Sequence, residues 1–78
     1  MQRNRRTYEV KPDRKVGGWK IVTGRGNCVK RTWTKREAVS AGASRARTAA
    51  LEFGIEATLR VRNTDGSVSE TRSYKVFI

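Results

Sequence analysis

The stretch KIVTGRGNCVKRTWTKREA, Lys20 to Ala38, decides the fold. It sets Gly24-Arg25-Gly26 between two apolar–basic runs and then meets a helix signal. A phosphate-cradling loop must lead from a strand straight into a helix N-terminus, whose amides and dipole hold the anion. Here the run CVKRTW, residues 28–33, intervenes, and it reads as another strand. The lysine and hydroxyl that complete a P-loop are also missing. Glycine and Asn27 suit a tight turn, so the stretch reads as a hairpin followed by a helix.

The helix start is the clearest local signal. Thr34-Lys35-Arg36-Glu37 has the spacing of a capping box, and Trp33 ahead of it is expected to pack on Ala38 as a hydrophobic staple. From Lys35 to Phe53 there is no proline and one internal glycine, Gly42. Gly54 stands where a left-handed stop belongs. Val39, Gly42, Ala43, Ala46, Ala50 and Phe53 recur at helical spacing and are the expected buried stripe. Most are small, which lets a helix approach a sheet closely.

On either side the period changes to two. RTYEVKP alternates Tyr8 and Val10 against Thr7, Glu9 and Lys11, and Pro12-Asp13 stops it. GGWKIVT puts Trp19, Ile21 and Thr23 on one face. IEATLRV, residues 55–61, separates Ile55, Ala57, Leu59 and Val61 from Glu56, Thr58 and Arg60, and Arg62 continues the polar set. Asn63-Thr64-Asp65-Gly66 turns the chain. In SVSETRSYKVF, Val68, Tyr74 and Val76 share parity with Glu70 and Arg72, which demands a bulge or a wet sheet edge. The predicted class is α+β: an antiparallel sheet of about five strands in the order β-β-β-α-β-β, with one helix over about 34–53 on one face. Residues 1–5 are expected to be a mobile basic tail and 6–78 a single domain.

With 78 residues, one domain is the ceiling, and a chain this short buries only about 60% of its unfolded surface. A deep substrate cleft is therefore not expected. There is no histidine, which removes the commonest general base and metal ligand, and the single Cys28 lacks an internal disulfide partner. No cofactor or metal is implied. No apolar run approaches the ~20 residues of a membrane span, and no secretory h-region follows the basic start. The expectation is a cytoplasmic, non-enzymatic protein.

Net charge is +11, from 18 Lys/Arg against 7 Asp/Glu, and twelve of the bases are arginine, the residue that forks onto phosphate. Residues 1–31 hold ten bases and two acids, so the first part of the chain carries most of the excess. If the apolar strand positions face the helix, Lys20, Thr58, Arg60 and Arg62 face away, and Lys30 is placed with them. Arg25 sits at the hairpin tip, Arg31 lies in the third strand, and Lys35 and Arg36 occupy the first helical turn. A cation there opposes the helix dipole unless an anion binds. Exposed aromatics, the usual platform of single-strand binders, are not expected on this face, because Tyr8, Trp19, Trp33 and Tyr74 are needed for the core or its rim. Phosphate contact along a duplex suits it better.

Two family resemblances rest on these residues. Tyr8-x-Val10-x-Pro12, Gly17-Gly18-Trp19-x-Ile21, Thr34-x-x-Glu37-Ala38, Gly54, Asp65-Gly66 and Ser73-Tyr74 together resemble a small bacterial and phage family known only as a domain of unknown function. Trp19-x-Ile21, the basic third strand and Thr34-x-x-Glu37-Ala38 are more loosely similar to the arm-type DNA-binding domain of tyrosine-family phage integrases. That resemblance implies a sheet facing DNA through Lys20, Lys30 and Arg31, although the domain lacks the two strands that follow the helix here. The expected function is nucleic-acid binding, duplex DNA above all, through Lys20, Arg25, Lys30, Arg31, Lys35, Arg36, Arg60 and Arg62. The alternative is a protein-interaction module or phage accessory protein, such as a homodimer joined through a sheet edge.

Overall fold

The computed structural model describes residues 5–75. Five strands and one helix follow in the expected order: β1 (Arg5–Pro12), β2 (Trp19–Thr23), β3 (Cys28–Thr32), α1 (Lys35–Phe53), β4 (Glu56–Arg62) and β5 (Val68–Tyr74). The α+β class and the single helix stand. Residues 1–4 of the expected tail lie outside the described residues, as does Val76, while Arg5 already opens β1.

The strands form one sheet in the order β3-β2-β1-β4-β5. Three neighbouring pairs are antiparallel; the central pair, β1 with β4, is parallel. The helix explains this. It leaves β3 at one end of the sheet and returns the chain to the other, so β4 rises beside β1 in the same direction. The glycine-containing segment after β2 closes a hairpin, with Thr23 N–H donating to the Asn27 carbonyl (2.9 Å) and Gly26 N–H to the Thr23 carbonyl (2.8 Å). Only Gly26 needs left-handed backbone there, at φ 91°.

The capping box is complete. Glu37 N–H donates to Thr34 Oγ1 and Thr34 N–H donates to Glu37 Oε1, both at 3.1 Å. Gly54, at φ 61° and ψ 36°, ends the helix. The helix lies mainly across β1 and β4. It buries Ala38, Gly42, Ala46, Ala49 and Ala50 against Val10, Ile21, Leu59 and Val61, the largest fully buried side chains. Each such aliphatic side chain contributes about 1.5–3 kcal/mol through burial.

Two packing expectations, one for the stripe and one for the staple, are corrected. Phe53, the last residue of the helix, is exposed, and the Arg6 guanidinium lies 4.7 Å from its ring centre. Trp33 is 79% exposed and forms no buried staple, since Ala38 is already covered by the sheet. Tyr8 is core, and Trp19 and Tyr74 pack at its edge as expected. The register conflict in β5 is resolved by both of its solutions. β5 is an edge strand, and a bulge at Val61/Arg62 sets Val68 opposite Arg62. Among the described residues no helix is long and apolar enough to cross a membrane.

Candidate functional site

Strand alternation assigns the outer sheet face. Tyr8, Val10, Ile21, Leu59 and Val61 point to the helix, so Arg5, Thr7, Glu9 and Lys11 of β1 point away. On β4 the outward residues are Glu56, Thr58, Arg60 and Arg62. Directly opposed residues share a face, so the pairs Lys11↔Lys20 and Lys20↔Arg31 align three cations across β1, β2 and β3. Arg62 lies one step past the Val10↔Val61 pair and extends this row onto β4. Four adjacent strands span about 14 Å at ~4.8 Å each, comparable to the ~12 Å width of a DNA major groove.

Two carboxylates organise the cations. Glu9 sits at the centre of the face. It accepts from Arg62 Nε at 2.9 Å, with Lys11 Nζ at 3.9 Å and Arg60 Nη1 at 4.0 Å. Asp13, at the end of β1, accepts from Arg31 Nε at 2.8 Å and caps the amides of Lys15 and Val16. The Arg31 bond, with help from those amides and Lys20, holds the Asp13 carboxyl below its ordinary range against the opposing effect of burial. At the far end, Glu56 pairs with Arg5 (3.4 Å) and Lys75 (3.9 Å). Arg5, Lys11, Lys20, Arg31, Arg60, Arg62 and Lys75 thus face Glu9, Asp13 and Glu56, seven cations to three anions.

The expected site residues divide. Lys20, Arg31, Arg60 and Arg62 gather on the outer face. Lys30 does not: the register sets it opposite Ile21, on the helix side, because it is the strand neighbour of the outward Arg31 and alternation turns it the other way. Arg25 is at the hairpin tip, beside a cleft it shares with Arg5, Arg6 and Tyr8. Lys35 is occupied locally, donating to Asn63 Oδ1 at 3.0 Å with its ammonium 5.7 Å from the Trp19 ring centre. Arg36 borders a groove between α1 and β5, with Val39, Arg47 and Arg72. Sequence reasoning passed over Lys11 and Arg5, although the parity of Lys11 with Glu9 already placed it on the polar side of β1.

Residues 8–74 match the family described as "Uncharacterized protein conserved in bacteria (DUF2188)". No curated protein and no solved structure gives a significant match.

Proposed function

The chain belongs to this bacterial family, whose description carries no activity, so we propose a function from the face itself: non-enzymatic binding of nucleic acid, duplex DNA in preference, through phosphate contacts. One observation carries the reading. Lys11, Lys20 and Arg31 stand directly opposite one another on adjacent strands. Like charges in that position destabilise a sheet. Glu9 and Asp13 offset part of the repulsion, and a phosphate backbone would offset the rest. A soluble cytoplasmic setting belongs to the same reading.

The test is binding to a short duplex over a range of salt. The logarithm of the binding constant should fall with the logarithm of salt by about 0.9 per phosphate neutralised. Lys20→Gln, Arg31→Gln and Arg60→Gln should each flatten that slope by about 0.9. Arg45→Gln, the same charge change at an exposed position of α1, should leave it nearly unaltered. Equal effects from all four variants would reduce the face to bulk charge, and absence of binding at low salt would end the proposal.

The alternative, a homodimer through a sheet edge, draws on β5, which is exposed from Val68 to Ser73. Both edge strands, however, pair through bulges and carry charged residues, devices that oppose strand addition. Light scattering at low protein concentration separates the two readings.

A further inference from the structure

Among the described residues Trp33 is the most exposed of the large apolar side chains, at 79%, yet its backbone is held from both sides. Thr32 Oγ1 donates to the Thr34 carbonyl across it at 2.9 Å, and the capping box fixes the residue that follows. Gly18 presses against the preceding peptide so closely that a Cβ there would lie 2.4 Å from the Thr32 carbonyl oxygen and 3.4 Å from Trp33 Cα. An indole in water gains nothing for folding from such anchoring. Among the described residues, the other exposed aromatic, Phe53, carries an arginine over its ring, and no cation covers the ring of Trp33.

Its surroundings name the occupant. Trp33 lies two residues past Arg31, just beyond the end of β3, where the cationic row reaches the sheet end. Arg31, with 61% of its side chain exposed, precedes it. A flat, open aromatic ring at the end of a cationic row matches a nucleobase on its phosphodiester: the ring stacks while the cations of the row hold the backbone. A rigid platform also loses little conformational freedom on binding.

We propose that Trp33 is a base-stacking platform, which directs the cationic face to nucleic acid bearing an unpaired base next to a duplex. This rests on the nucleic-acid reading above and narrows its substrate. The face lies along the duplex backbone, and the indole takes the first base that is free to leave the stack.

The experiment compares a DNA hairpin with a thymidine loop against a blunt duplex of the same stem sequence. Wild-type protein should bind the hairpin on the order of ten-fold more tightly, the scale of one aromatic–base stack. Trp33→Ala should lose that preference while keeping its duplex affinity and, since the side chain is in water, its melting temperature. Trp33→Phe, still able to stack, should retain most of the preference. Lys20→Gln should weaken both probes alike. Equal wild-type affinity for the two probes, or an unchanged preference in Trp33→Ala, overturns the stacking role and leaves phosphate binding intact. Failure to bind either probe overturns both.

Discussion

Asp13 is the one charged side chain among the described residues that the fold nearly withdraws from water, at 3% exposure. Its backbone closes the β1–β2 loop through Gly18 (3.0 Å) and Gly17 (2.9 Å), while its carboxylate joins that loop to Arg31 on β3. Because the folded carboxyl is held below its ordinary value of 3.8, its stabilisation is present above that value and is lost as pH falls through the depressed one. Asp13→Asn should therefore melt below wild type at neutral pH, and the gap should close as pH drops below the ordinary carboxyl value of 3.8. Melting curves across that range check it; a gap independent of pH would remove the charge from the account. Nothing in the chain pattern signals this role, because the turn reading of Pro12-Asp13 is local and the Arg31 partner is eighteen residues away. Trp33 was misread for a related reason. The staple spacing is satisfied in sequence, but the sheet covers Ala38 first. Lys30 shows the limit of placing two adjacent strand residues on one face: with Arg31 outward, alternation alone already turns Lys30 to the helix side.

At the level of elements, α1 was legible from end to end, because a capping box and a glycine stop are local chemistry. Its seat on the sheet was half legible. Gly42, Ala46 and Ala50 are buried as their spacing implies, while Ala38 and Ala49 replace Phe53 in the contact. Gly42 sets the distance of the helix from the sheet. A Cβ there would lie 2.8 Å from Leu59 Cδ1 and 3.3 Å from Val10 Cγ2, and both neighbours are fully buried. Alanine is the better helix former by about 1 kcal/mol. Against that, forcing a methyl group into a filled core costs about 1–3 kcal/mol. Packing should win: Gly42→Ala is expected to destabilise the protein by about 1 kcal/mol, and Gly42→Val by more. Urea unfolding measures it, and a gain in stability for alanine would mean that Leu59 can move aside. The strands were legible by alternation, but the parallel contact of β1 with β4 was not, since pairing partners fifty residues apart depend on where the helix sets the chain down.

At the scale of the whole molecule, the outer sheet face sets three acids among seven cations. Glu9 is the pivot, since Lys11, Arg60 and Arg62 all lie within 4.0 Å of its carboxylate. Without a polyanion, Glu9 holds that cluster together; with one, it competes for the same donors and repels the incoming phosphates. The two roles give opposite signs in two measurements. Glu9→Gln should lower the melting temperature in low salt, where cation repulsion is least screened, and at the same time tighten duplex binding. High salt should shrink both effects together, because both are field effects across a solvated face with a Debye length of about 10 Å at 0.1 M. Tighter binding without loss of stability would mean the cations are already far enough apart to tolerate one another. Loss of stability with weaker binding would mean that Glu9 orients Arg62 for its contact, so that the geometry of the cluster rather than its surplus charge determines affinity.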